Sequence, residues 1–169
     1  VPDNFGPQQG VTTGLMNNDT RTLNTVYRNG SIWATHQIYL PAGNPTRTSV
    51  QWWQVSPSGT VQQRGLIDDP SGSEFFTFPS IAVNQNSDAM IGYTRMSANQ
   101  FASANYSYRL GSDPAGTLRT DTRYRAGQGG YLKTFGAGRN RWGDYSATYV
   151  DPINDIDMWT LQEYAESPV

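Results

Sequence analysis

The chain states one pattern twice and starts it a third time. Ser56-Pro57-Ser58-Gly59-Thr60-Val61 follows the aromatic run Val50-Gln51-Trp52-Trp53-Gln54-Val55, and Ser112-Asp113-Pro114-Ala115-Gly116-Thr117-Leu118 follows Asn105-Tyr106-Ser107-Tyr108-Arg109. The Ser recurs 56 positions on and the Thr 57. Before each copy lies a short run of small and apolar residues, Ser31-Ile32-Trp33-Ala34-Thr35 and then Ala89-Met90-Ile91-Gly92-Tyr93; a third, Asp157-Met158-Trp159-Thr160-Leu161, falls near the end. A period above about 40 residues built of short strands is the signature of a propeller or a repeat array. One such unit cannot bury its own apolar faces, so the pattern constrains architecture far more than chemistry.

Seventeen Gly and ten Pro argue for many turns and against long helices. The strands follow the punctuation. Leu23 to Arg28 is turned by Asn29-Gly30, the strongest hairpin signal in the chain. Ser31 to Leu40 stops at Pro41; Thr48 to Val55 and Val61 to Ile67 are joined through Pro57-Ser58-Gly59. The cycle restarts with Ser80 to Asn84, Ala89 to Met96, Ser103 to Leu110 and Thr117 to Arg125. Within it Tyr106, Tyr108 and Leu110 share one face and Asn105, Ser107 and Arg109 the other. Gln128-Gly129-Gly130 and Gly136-Ala137-Gly138 bracket a long loop before Tyr145 to Val150 and Asp157 to Tyr164.

Four antiparallel strands per repeat is the blade of a β-propeller. The expected fold is therefore all-β, a partial propeller of about two and a half blades. Residues 1–20 form a Gly-, Asn- and Pro-rich approach segment, 21–70 a first blade, 78–127 a second and 141–165 a half blade. An open arc exposes an apolar wall at each end. The chain is accordingly expected to be a fragment or processed piece of a longer propeller, or to be completed by self-association or a second chain.

Composition removes several classes of function. The formal net charge is −2, and eleven Arg with the single Lys133 are scattered, so no nucleic-acid footprint exists. Cysteine is absent, which excludes disulfides and thiolate metal sites. No apolar run approaches the length of a membrane span. The absence of a leading Met before Val1 fits a removed leader or an excised piece.

Ser112-Asp113-Pro114-Ala115-Gly116-Thr117 resembles a degenerate Asp box, the hairpin of sialidase-like BNR-repeat propellers, whose usual form is Ser-X-Asp-X-Gly-X-Thr-Trp. Here Ser and Asp are adjacent, one residue is added between Asp and Gly, and Leu118 replaces the aromatic; the first copy keeps Ser56, Gly59 and Thr60 without an Asp. A broader likeness covers most of the chain. Asp19-Thr20-Arg21, Val26 through His36, Pro79 through Asn84, Asp113 through Arg119, Tyr131 through Gly136, Arg139 through Ser146 and Val150 through Ala165 resemble secreted bacterial propeller proteins of this kind. That resemblance implies a secreted or cell-surface bacterial protein, in a group mostly without assigned activity.

Among candidate sites, Arg141-Trp142-Gly143-Asp144-Tyr145 is the densest. An Arg fork, an indole platform and a carboxylate together suit a sugar ring. The bland alternative pairs Arg141 with Asp144 and buries Trp142 between blades. Trp52 and Trp53 place indoles on both faces of one strand, one for core and one available for stacking, although strand packing explains both. Asp151, Asn154, Asp155 and Asp157 offer oxygens to a structural Ca²⁺, but their spacing fits turn chemistry better. His36 is the lone histidine and lacks a second ligand. No cofactor is expected.

The expected function is non-catalytic recognition of a glycan or an extracellular protein. The alternative is a sialidase-like glycoside hydrolase, for which Tyr145, Asp144, Glu163, Arg28, Arg95 and Arg141 supply residue types.

Overall fold

The computed structural model describes residues 3–134, 136 and 138–167; Val1 and, in the Gly-rich loop, Phe135 and Ala137 lie outside them. Every regular element among the described residues is a strand. Two four-stranded antiparallel sheets carry the chain in simple sequential order. The first joins β3 (Asn24–Arg28), β4 (Ser31–Leu40), β5 (Arg47–Val55) and β6 (Val61–Ile67). The second joins β7 (Glu74–Val83), β8 (Ala89–Ser97), β9 (Gln100–Arg109) and β10 (Thr122–Arg125). Two-stranded hairpins flank them: β1 (Gly6–Gln8) with β2 (Val11–Leu15), and β11 (Ala147–Val150) with β12 (Met158–Leu161).

The sequence repeat reappears as backbone conformation. Gly59 and Gly116 both hold left-handed φ values, +87° and +77°, in the turns after β5 and β9. Asn29 and Gly30, at φ +49° and +72°, form the primed turn that the Asn-Gly pair demands.

Several boundaries differ from the sequence reading, β11 and β12 among them, being shorter than expected, and four of the differences have a local reason. The segment before residue 20 contains the β1–β2 hairpin, whose sheet is too short to register as alternation. β7 begins at Glu74, not Ser80, because the strand runs through Pro79 on a bulge: Thr77 pairs with Thr94 and Ser80 with Gly92, leaving Phe78 and Pro79 opposite Tyr93. A bulge is where a strand tolerates a proline. β9 starts at Gln100, turned directly from β8. β10 is short because Asp121 turns inward to accept hydrogen bonds from Tyr93, Arg95 and Asn105 at 2.5–3.0 Å.

The second sheet lies between the first sheet and the β11–β12 hairpin. β7 contacts β3, β4 and β5 on one side and β11 on the other. Its alternate residues divide accordingly: Ile81 joins the apolar cluster with Trp33, Val50, Trp52, Ile91 and Tyr93, while Ser80 shares a 2.7 Å hydrogen bond with Thr148 of β11. Trp33 and Trp52 stack at 6.1 Å in that cluster, and the Trp52 indole lies over Gly65, whose missing Cβ would come within 2.6 Å of Nε1. A second cluster gathers Leu15, Phe75, Phe78, Met96, Ala102, Trp142 and Ala165 beside the β1–β2 hairpin. No helix among the described residues is long and apolar enough to cross a membrane.

Candidate functional site

Two buried amides, Asn140 and Gln8, build a cleft beside the β1–β2 hairpin. Asn140 is fully buried; it donates to the Tyr131 carbonyl at 2.8 Å, accepts from the Lys133 amide at 2.7 Å, and its own amide donates to Asn4 Oδ1 at 2.6 Å. Gln8, on β1, donates to the same Tyr131 carbonyl at 2.8 Å and accepts from the Tyr131 amide at 2.9 Å. A parallel bridge from Met16 to Arg141 completes the anchoring. The β1–β2 hairpin thus fixes the two segments, 131–133 and 140–144, that face each other across the cleft.

The cleft is a pair of adjoining depressions of about 360 and 280 Å³ that share Tyr131, Lys133, Trp142 and Glu163. Arg141 and Asp144 line the second, paired to each other at 2.7 Å. The Glu163 carboxylate accepts the Gly143 amide at 3.0 Å, and a Cβ at Gly143 would collide with it. Gly143 is therefore needed for the close approach of β12's trailing segment to this loop. Lys133 Nζ sits 5.6 Å over the Tyr131 ring. Burial, followed by the neighbouring Glu163 charge, raises the Tyr131 phenol above its ordinary value, so it stays a neutral donor. Asp19 and Arg21 pair on the approach to β3, and Arg21 is held charged first by Asp19 and then, more weakly, by Tyr145 and Asp144.

The sequence-read residues divide. Arg141 and Asp144 come together in the cleft. Trp142 is 4% exposed; its indole packs edge-on to Tyr131 at 4.8 Å and donates to Thr94 Oγ1 at 3.3 Å, so it serves as wall and core and offers no free platform. Tyr145 is 72% exposed and lines a neighbouring groove of about 750 Å³ with Tyr124, Tyr149, Leu161 and Tyr164. Trp52 is wholly buried. Trp53 lies half-buried on the outer face of the first sheet, with Arg64 5.3 Å over its ring and its Nε1 donating to His36 at 3.3 Å. Neither tryptophan contributes to the cleft.

The Asp151–Asp157 segment is a turn. Asp151 accepts the Ile153 and Asn154 amides, Asn154 donates to Asp157 at 2.7 Å, and Asp155 pairs with Arg28. Among the described residues no group of three or more acidic, His or Cys side chains is arranged to hold a metal ion. Of the arginines a hydrolase reading needs, Arg28 is engaged by Asp155, and Arg95 by Glu74 and Asp121 at 3.0 and 2.5 Å. Only Arg141 stands at the cleft.

Sequence reasoning did not single out Tyr131 or Lys133 as site residues, and it named Glu163 only as a residue type for the hydrolase alternative. Gln8 anchors Tyr131 from 123 residues away, and Asn140, only seven residues beyond Lys133, carries no spacing signal that marks it as an anchor. Compared with protein-family models, curated proteins and solved structures, the chain matches none.

Proposed function

We propose that this chain is part of an extracellular, non-catalytic recognition module of the β-propeller type, made by a bacterium, and that it binds a glycan in the cleft between Tyr131 and Arg141. The observation that carries the reading is the cleft's composition. An Arg–carboxylate pair, a lysine and a second carboxylate stand around an aromatic wall, in a depression of disaccharide size. A sugar presents a rim of hydroxyls that both donate and accept, and the charged groups of the cleft answer that need beside the half-buried Tyr131 ring. The propeller reading is supported by two consecutive four-stranded meanders with repeated turn conformations, followed by a third, two-stranded unit on the same stack.

The hydrolase alternative loses support because Arg28 and Arg95, two of the three arginines it calls on, are engaged in ion pairs away from the cleft. The test is retention on a panel of immobilised glycans, comparing the chain with Arg141→Ala and Glu163→Gln. Both residues are at the surface, and Glu163→Gln keeps an oxygen that can accept the Gly143 amide, so the fold is expected to survive. A drop of roughly tenfold in affinity, the effect of losing one or two good hydrogen bonds, supports the reading. Unchanged retention by both variants, or no retention of any glycan by the parent chain, removes it.

A further inference from the structure

Among the described residues the stack of sheets ends in two uncovered faces, one at the β11–β12 hairpin and one on the first sheet. At one end, β11 and β12 present the cross-strand pairs Tyr149↔Trp159 and Ala147↔Leu161 outward, opposite to the Thr148 and Thr160 side that meets β7 and β8. Tyr149, Trp159 and Leu161 are 63%, 62% and 69% exposed on this narrow, two-stranded hairpin. Leu161 and Tyr149 also line the groove shared with Tyr124 and Tyr164, and the hairpin's tip, with Trp159, is the knob. An exposed apolar patch of this kind on an ordered sheet marks an interaction surface. At the other end, the outer face of the first sheet carries Ile38, Trp53 and Leu66, with a groove of about 460 Å³ floored by Ile38, Leu40 and Leu66.

The charges follow the shapes. The groove is edged by Arg64, which stacks on Trp53 and forms no ion pair among the described residues. The knob is edged by Asp151, which accepts the Trp159 indole N–H at 3.4 Å, and by the exposed Asp157. Inside the chain, sheets already associate by laying one sheet's face on the next, first sheet on second and second on hairpin. The two free faces continue that same stacking in opposite directions.

We propose that a second copy of this chain covers these faces, head to tail, with the β11–β12 knob of one copy seated in the β4–β6 groove of the next and Asp151 and Asp157 reaching Arg64. The contact is heterologous, so it closes into a ring or extends into a chain of copies. It does not involve the cleft and stands independently of the glycan reading.

Light scattering of the 169-residue chain across a dilution series tests it, with two variants at exposed positions, Trp159→Asp on the knob and Leu66→Asp in the groove. The parent is expected to move from the 18.7 kDa single-chain mass to multiples of it as concentration rises, less readily at high salt. Each variant alone is expected to stay at the single-chain mass. Mixed together they are expected to form a two-chain species, because one intact knob and one intact groove remain. A parent that keeps the single-chain mass throughout overturns the proposal. So does association that survives Leu66→Asp, or a mixture that fails to associate, since either result means the contact joins two like faces or other surfaces altogether.

Discussion

The second sheet is bound on its two sides by opposite means. Toward the first sheet the seam is aromatic: the Trp33–Trp52 stack, Phe76 edge-on to Tyr93 at 5.7 Å, and Ile81, Val83 and Ile91 between them. Toward β11–β12 it is a hydroxyl ladder. Ser80, Thr148 and Thr160 bond in series at 2.7 and 2.9 Å, Ser146 donates to the Phe78 carbonyl at 2.7 Å, and Gln162 donates to both Thr160 and Ser80. The first seam draws its strength from apolar area, which is non-directional and tolerant of small shifts. The second draws on hydrogen bonds, each of modest net worth but exacting in geometry. The aromatic seam therefore carries the stability, and the hydroxyl seam sets where the hairpin sits.

The sharpest way to break this contrast is Trp52→Ala. Removing a fully buried indole that stacks on Trp33 is expected to cost about 3–5 kcal/mol, read as a large fall in Tm or in the denaturant midpoint. A loss below about 1 kcal/mol would show that the aromatic seam is not what holds the sheets together.

Gly92→Ala addresses the other seam. The added methyl would overlap Thr160 Oγ1 and the Gln162 amide, with an expected cost of about 1–3 kcal/mol. The damage should be local. Amide exchange is expected to quicken across Ala147–Val150 and Met158–Leu161 while Trp33 to Thr35 stay protected. Equal loosening of both seams would mean that the two are one cooperative unit.

The smallest effect expected is with pH, and it too separates the seams. The turn after β9 rests on the first sheet, where the Gly116 amide donates to Gln63 at 2.9 Å. Asp113 holds that turn: the Arg119 guanidinium first, then the Leu110 amide, lowers its carboxyl from 3.8 to about 2. A carboxyl depressed in the folded state stabilises it above the unfolded pKa, and that contribution is lost as pH falls through the folded value. The turn is thus expected to loosen between about pH 4 and 2, and Asp113→Asn to abolish that acid step. The hydroxyl seam contains no group that titrates there, so exchange at Thr148 and Thr160 should not follow the same curve.

Much of the fold is legible in the residues alone. β4 and β6 run from the residues that Asn29-Gly30, Pro41 and Pro57-Ser58-Gly59 announce, because turn chemistry acts through nearest neighbours. The candidate cleft was half legible. The Arg141–Asp144 pair lies three residues apart and is a local matter. Glu163, Tyr131 and Lys133 reach it only through Gly143, Gln8 and Asn140, contacts between segments more than a hundred residues apart in the case of Gln8.

β9 shows where the division falls. Alternation alone separates Tyr106 and Tyr108 from Asn105, Ser107 and Arg109, and the strand has those two faces. Intuition would bury the tyrosines. The structure buries the polar set instead, because Tyr93 and Asp121 bond Ser107 and Asn105, and Arg109 lies 6.0 Å from the Trp52 ring, donating to the Asp113 carbonyl at 2.9 Å. The sequence by itself determined strand, turn and repeat, since backbone sterics and side-chain period are local. Only the tertiary structure decided which face is interior. Burial of a polar group is settled by whether distant partners arrive to satisfy it, and those partners are chosen by packing.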